Sequence, residues 1–545
     1  MTSDGTTAPA TGESAGTGTA EIPADLRAAF EAYEHALMID DVPALDAAFA
    51  PGPEVMRGDA AGLLVGEEAL SAFRHLRGGV AARTIERVEY RPLGEGVALL
   101  VSVSRYRGGG RGLQTQVWQH LDGRWVITAA HVTGKAQALD RTVWRSVGDP
   151  FFQGAWDGPL AGLTVAVKDL FAIKGFRIGA GNPTYLEGAR PETTTAAAVA
   201  DLLRGGASLR GIARTDEFAY SIAGDNPHYG TPPNGALPGA LPGGSSSGPA
   251  AAVATGQAEV GLATDTAGSI RVPASYQGLW GLRTTHGLVP RQGLLPLAQT
   301  FDAIGWLTRD GDTLQRVADW CLSYDGSEST ESALGESAAD LPWRLLVPTE
   351  ILDSVEPTTR AAFAAFLGAL GTADAPEITE TSIDDLGSAA AAFRTVQGAE
   401  AWRNNGEWLS EHPGAVGPAV AARFRLGSAV TAEAEASART ALAPLRDTLT
   451  ALVKTGVLIF PTVPGAAPSR TADAAAVDAA RAATLRMTSP VSIAGLPAVS
   501  VPLLSVASPL GDAPVGICLV SRAGTDIALV RLARRLAAAV AEGRS

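Results

Sequence analysis

The amino-acid sequence predicts an α+β module followed by a larger α/β domain. Between residues 22 and 133 a helical period comes first and a run of hairpin-forming strands second, whereas beyond about residue 150 short apolar strands alternate with Ala-rich helices. At 545 residues, 46% of them apolar, the chain is long enough for more than one core.

The elements follow in order. Residues 1–21 hold no aromatic side chain and almost no large apolar one, so they cannot offset the entropy of ordering and read as a disordered tail. Leu26, Phe30, Tyr33 and Leu37 recur at spacings of four and three, which predicts a helix over 23–40 with one buried face. The stretches "TIERVEY", "VALLVSVSRYR", "LQTQVWQHL" and "RWVITAAHV" are separated by glycine-rich or Asp122-Gly123 turns, the signature of antiparallel hairpins. The module spans 22–133, residues 134–150 read as a linker, and the α/β domain covers 151–545. Within that domain "LTVAV" (163–167) and "EVGLATD" (259–265) are short buried-strand patterns, and the region 385–450 is Ala-rich. The acid-rich run at 325–340 reads as a solvated segment, and "RGGGRG" at 107–112 as a glycine turn.

Composition narrows the function. A formal charge of −14 argues against a nucleic-acid binder. Two cysteines, Cys321 and Cys518, provide neither a disulfide framework nor a zinc cluster. No signal-peptide core or spanning segment is evident, so a cytoplasmic chain without membrane association is expected. No phosphate loop, metal-ligand spacing or cofactor fingerprint occurs, and neither cofactor nor metal is expected.

Lys168 directly follows the "LTVAV" strand in a chain with only four lysines among its 43 basic residues. A desolvated lysine can lose its proton and act as a base, which arginine cannot. A surface lysine paired with Asp169 is the equal alternative from this fragment alone. "GGSSSG" (243–248) matches the nucleophile-elbow pattern with Ser246 as nucleophile. The preceding "TPPNGALPGALP" cannot supply the buried strand an elbow needs, however, and His286 and His412 have no local motif. "TAGS" is better placed: it puts Ser269 on a tight turn after a buried strand, where successive amides can converge on an oxyanion.

The motifs "GPLAGLTVAVKD", "PGGSSSGPAAAVA", "GLATDTAGSIRVPAS", "GLWGLRTTHGLVP", "IFPTVPGAAP" and "SPVSIAGLPAVSVP" together resemble the amidase signature family of Ser-Ser-Lys hydrolases over most of 145–545. The resemblance implies a mixed central sheet flanked by helices, with the Ala-rich region 385–450 as pocket wall. It implies Lys168 as catalytic base, Ser245 as bridging serine on a cis peptide and Ser269 as nucleophile, 24 residues after Ser245. It further implies oxyanion donors among the amides of Thr266, Ala267, Gly268 and Ser269, a supporting Ser246, and structural rather than chemical roles for Asp265 and Arg271. Many members carry glycine where this chain has Ala267, which would be strained only at a positive φ. The "TDTAGS" variant is similar to allophanate-hydrolase-like members. "NPHYGTPPN" and "FDAIGWLTRD" resemble the amidase 1 group, which includes indole-3-acetamide hydrolases.

"FEAYEHALMIDDVPALDAAFAPG", "GEEALSAFRHLR" and "WVITAAHV" resemble the AtzH-like domain of the cone-shaped SnoaL superfamily. That resemblance implies either a pocket, which His35 and His131 would line, or a homodimer formed through this module, and it hints at carboxylated ureas or biuret derivatives. The expected activity is hydrolysis of a small-molecule amide to carboxylate and ammonia. An amidotransferase subunit handing ammonia to a partner, or a scaffold without catalysis, are the alternatives.

Overall fold

Half-buried strands and one-sided helices have to cover their apolar faces, and the chain does so in two units, residues 1–138 and 139–545, each with its own sheet and core. A computed structural model describes residues 21–59, 62–76, 83–106, 111–133, 140–323, 341–370, 376–384 and 386–542. The tail expected over 1–21 (apart from residue 21), the acid-rich segment 325–340, residues 107–110 of the glycine turn and residues 134–139 of the expected linker lie outside the described residues.

In the first unit the helix Ala24–Ile39 buries Leu26, Phe30, Tyr33 and Leu37, the four positions whose spacing predicts it. They pack with Phe49, just beyond the helix Val42–Ala47, and with Leu100, Trp118 and Ile127 from the sheet. Among the described residues the sheet has six strands, in the order Gly62–Val65, Met56–Asp59, Arg124–Thr133, Arg111–Leu121, Val97–Tyr106 and Arg83–Gly94. The last four form the antiparallel meander expected from their turns, while Met56–Asp59 pairs parallel with Arg124–Thr133.

The second unit is built on a mixed sheet that has eleven strands among the described residues. Toward one edge it holds Val260–Asp265, Thr164–Lys168 and Ser208–Ala213, three neighbouring parallel strands. Trp144–Phe152 pairs antiparallel with Ser208–Ala213 and forms that edge. The expected linker over 134–150 is therefore corrected in its second half. "WRSVGDPFF" lacks apolar alternation and carries Pro150, which an edge strand tolerates because only one side is paired. The helix Ser247–Ala254 packs on the strands Thr164–Lys168 and Val260–Asp265. Its residues Ala250, Ala251 and Ala252 are fully buried, so small side chains let it lie close to the sheet. Among the described residues no helix is long and apolar enough to cross a membrane.

Candidate active site

Three parallel strands end side by side, and each delivers polar groups just beyond its last residue, the place where open α/β sheets expose a crevice. Thr164–Lys168 ends in Lys168 itself. Val260–Asp265 ends in Thr264 and Asp265 and leads into the turn that carries Ser269. Ser208–Ala213 leads to Thr215 and Asp216, whose hydroxyl and amide both donate to the carbonyl oxygen of Ser245, at 2.8 and 3.1 Å.

Lys168 is fully buried, and its Nζ contacts three hydroxyls: Ser245 Oγ at 2.8 Å, Ser246 Oγ at 2.9 Å and Thr264 Oγ1 at 2.8 Å. Burial pulls its pKa down to about 7, although the carboxylates of Asp216, Asp265 and Asp302 act in the opposite direction. The surface ion pair with Asp169 does not form. Asp169 pairs with Arg145 at 3.0 Å and accepts the Gly179 amide at 2.9 Å. Ser246 also donates to the carbonyl of Thr264 at 3.2 Å, so one hydroxyl links the lysine to the neighbouring strand.

The segment that supplies two of Lys168's partners is the loop "GGSSSG", and the peptide bond Gly244–Ser245 is cis. Gly244 has a steric reason: a Cβ there would lie 2.2 Å from Asp216 Oδ2. Asp216 in turn accepts the Ser247 hydroxyl at 2.8 Å and the Gly224 amide at 3.0 Å, and burial, with Asp225 nearby, raises its pKa to about 7. No strand precedes Ser246 in this loop, which removes the elbow geometry. His286 contacts the carbonyl of Gln299, and His412 stacks on Trp408.

Ser269 is almost fully buried, and its carbonyl accepts the Ser246 amide at 3.4 Å, which brings the two serine segments together. Its turn is shaped by Asp265. That carboxylate accepts the amides of Gly268 (2.8 Å) and Ile270 (3.2 Å) and pairs with the buried guanidiniums of Arg271 and Arg283. Burial alone would raise the pKa of Asp265, but Arg271 and Arg283 hold it well below the usual carboxylate range. The amide of Gly268, one of the expected oxyanion donors, is turned inward and donates to Asp265 Oδ1. Thr266, Ala267 and Ser269 have amides without a protein acceptor among the described residues. Ala267 has no positive φ. Gly268 has, at 129°, and a Cβ there would meet Thr488 Oγ1 at 2.9 Å. Asp302 accepts the Thr266 hydroxyl at 2.6 Å and anchors the start of the same turn.

A pocket of about 20 Å³ opens at Ser269, lined also by Tyr220, Ile222, Gln397 and Arg481. It shares Ser221 and Arg481 with a larger cavity of about 510 Å³. The Ala-rich region 385–450 contributes Gln397, Val420 and Arg423 to these walls. Much of the remainder comes from residues 217–231 and from Val477, Asp478, Arg481 and Leu485 of the helix Ala474–Ala494. Sequence reasoning did not single out Thr264, Asp216, Asp302 or Arg481. Thr264 and Asp302 lie inside "GLATDTAGSIRVPAS" and "FDAIGWLTRD", but nothing in those motifs marks them apart from their neighbours. In the first unit, His35 and His131 are exposed, and a cavity of about 280 Å³ is lined instead by Phe30, Glu34, Ile85 and Leu100 among others.

Residues 146–530 match the family model described as Amidase, and residues 17–137 match AtzH-like. The chain is 35% identical to "Amidase 1" of Arabidopsis thaliana over 402 residues, covering 70% of this chain and 93% of that protein. It is 32% identical to a glutamyl-tRNA(Gln) amidotransferase subunit of Natronomonas pharaonis, over 69% of this chain and 95% of that one. Among solved structures, one described as an inhibitor-bound "vestigial protein complex" that "reveals the evolutionary origins of an s-triazine catabolic enzyme" superposes with a TM-score of 0.62. Its identity is 30%, over 70% of this chain and 84% of that chain. With a strand-end lysine among serine hydroxyls and a family match over most of its length, the chain belongs to the amidase family, enzymes that hydrolyse amide C–N bonds, and carries an AtzH-like domain ahead of its amidase domain.

Proposed function

We propose that this enzyme hydrolyses a small-molecule carboxamide to a carboxylate and ammonia through Lys168, Ser245 and Ser269. The observation that carries the reading is the fully buried amine of Lys168, 2.8 Å from the Ser245 hydroxyl and with its pKa drawn down to about 7. A neutral amine at working pH can take a proton, and a base whose pKa lies near that pH is the efficient one.

In the proposed sequence the Ser269 hydroxyl proton passes to Ser245 Oγ while the Ser245 proton passes to Lys168 Nζ. Ser269 Oγ forms a bond to the amide carbon. The carbonyl oxygen takes up negative charge facing the amides of Thr266, Ala267 and Ser269. Each such donor is commonly worth about 3 kcal/mol to the transition state. The C–N bond then breaks, the proton returns by the same path to the leaving nitrogen, and ammonia departs. A water molecule attacks the ester, releases the acid and restores Ser269. Ser246 holds the lysine in place through its contacts with Nζ and with Thr264.

The amidotransferase reading has a relative in its favour and a simple discriminator: a purified chain that releases ammonia from a free small amide, without a partner, acts as a hydrolase. A panel of aryl-acetamides, aliphatic amides and biuret-type amides, read by ammonia release, makes that measurement. No release from any of them by a folded chain would overturn the proposal. The AtzH-like domain we read as a module that pairs subunits, which sedimentation of the full chain measures.

A further inference from the structure

Arg481 is the charged residue that the Ser269 pocket has in common with its neighbours. It lines the pocket at Ser269, where no other lining residue carries a charge. It also lines a second small pocket with Ile222, Val272 and Tyr276, again as the sole charged residue among the described ones, and the larger cavity beyond. The side chain is half-buried, and its Nε is shielded from solvent with no hydrogen-bond acceptor among the described residues. Nearby arginines are otherwise engaged: Arg423 donates to the Tyr220 carbonyl at 2.6 Å, and Arg470 donates to the carbonyl of Thr231. An N–H that gives up water without gaining an acceptor is costly, and the planar guanidinium fork matches the two oxygens of a carboxylate.

The electrostatic surroundings agree. Burial lowers the pKa of Arg481 to about 10, and Arg423 and Arg394 push the same way, while Asp478 and Tyr220 oppose them. The cation is thus under-neutralised by its own protein. The acids of the larger cavity do not close the gap. Glu217 is already bonded to Asn182 at 2.8 Å, to His228 at 2.5 Å and to the Gly417 amide at 2.9 Å, and neither Asp225 nor Asp478 forms an ion pair with Arg481 among the described residues.

We propose that the substrate is a short amide bearing a carboxylate a few bonds from its scissile carbonyl, and that Arg481 receives that carboxylate. The inference rests on Ser269 being the nucleophile, and the short separation follows from Ser269 and Arg481 lining one small pocket. Arg481 is then a specificity residue that takes no part in proton transfer.

The test uses the full chain and three pairs of substrates that differ only by carboxylate against carboxamide: malonamate and malonamide, succinamate and succinamide, glutaramate and glutaramide. The parent enzyme is expected to favour the acid in at least one pair by about tenfold or more in kcat/KM. In Arg481→Gln that ratio should collapse by a similar factor, with Arg481→Lys keeping part of it. Malonate, succinate or glutarate should inhibit diamide hydrolysis by the parent competitively, a measurement that needs no variant. Equal treatment of every pair by the parent, no turnover of any acid amide, no inhibition by any of the three dicarboxylates, or an Arg481→Gln enzyme that loses both members of a pair by one factor would each overturn the proposal. A Ser269→Ala enzyme that still released ammonia would instead overturn the nucleophile on which it rests, so the two failures are distinguishable.

Discussion

The amine of Lys168 and the hydroxyl of Thr264 lie 2.8 Å apart although 96 residues separate them, because the two parallel strands that carry them end side by side. Thr264 therefore helps set the proton affinity of the proposed base. Its oxygen accepts from the ammonium form, which favours charge, against a burial that disfavours it.

The pH profile follows from that balance. Only the neutral amine can accept the serine proton, so kcat/KM should be low in acid and rise with pH through a limb near the pKa of about 7. Thr264→Val removes one acceptor of the charged form and should move this limb to lower pH. Turnover should also fall, by a factor of roughly ten, the scale of one hydrogen bond to a charged group. A limb that stays in place in the valine variant would show that the contact does not bear on the base.

Lys168→Arg keeps the positive charge and removes the accessible neutral form, so ammonia release should fall by roughly a hundredfold or more, as it should in Lys168→Ala. Ser269→Ala should be at least as inactive, Ser245→Ala should leave a trace through a relaying water, and the double serine variant should be scarcely worse than Ser269→Ala alone, because the groups act as a unit. A folded Lys168→Arg enzyme with more than a few per cent of parental activity would refute the base assignment. Circular dichroism of each variant separates loss of chemistry from loss of fold.

How far the sequence reaches is visible in these same residues. Lys168 was legible because a buried-strand pattern runs straight into it and lysine is scarce elsewhere, and Ser245 and Ser269 because their glycine-rich settings match a known order. The first helix was legible from four apolar positions that all proved buried. Thr264, Asp216 and Asp302 were not, since each acts on a partner 30 or more residues away and nothing local marks a threonine or an aspartate for that task. The inward turn of the Gly268 amide also depends on where the Asp265 side chain points, which no spacing reveals. The strand Trp144–Phe152 was missed because an edge strand with a proline carries little alternation.

Asp265 offers a stability prediction whose sign is fixed by its surroundings. Its pKa is depressed by Arg271 and Arg283, so the stability it supplies is present at neutral pH and is lost as pH falls below about 4, the unfolded value. Asp265→Asn leaves two buried guanidiniums without their counter-charge and should cost about 3–5 kcal/mol at neutral pH. The loss should shrink as pH falls below about 4, because the unfolded parent chain then takes up the proton that its folded form resists. Chemical denaturation of both proteins at neutral and acid pH measures it, and an undiminished gap in acid would show that the ion pairs are not its source.

Gly268 and Ala267, adjacent in the turn before Ser269, should respond unequally to exchange of their residue types. Gly268 has a φ of 129°, and an added Cβ would sit 2.9 Å from Thr488 Oγ1 and 3.1 Å from Val272 Cγ2, so Gly268→Ala carries both backbone strain and a packing conflict. The expected cost is about 1–3 kcal/mol of stability, with a fall in turnover as Ser269 is displaced. Ala267 has no positive φ, and Ala267→Gly should cost no more than about 1 kcal/mol, the entropy of a freer backbone. Adding Thr488→Ala to the Gly268→Ala protein removes the nearer contact but not the φ, and it also removes the hydroxyl that donates to the Ala267 carbonyl. Only a partial recovery of the melting temperature is therefore expected. Full recovery would assign the whole effect to packing, whereas a Gly268→Ala protein as stable and active as the parent would show that this turn does not fix the position of Ser269.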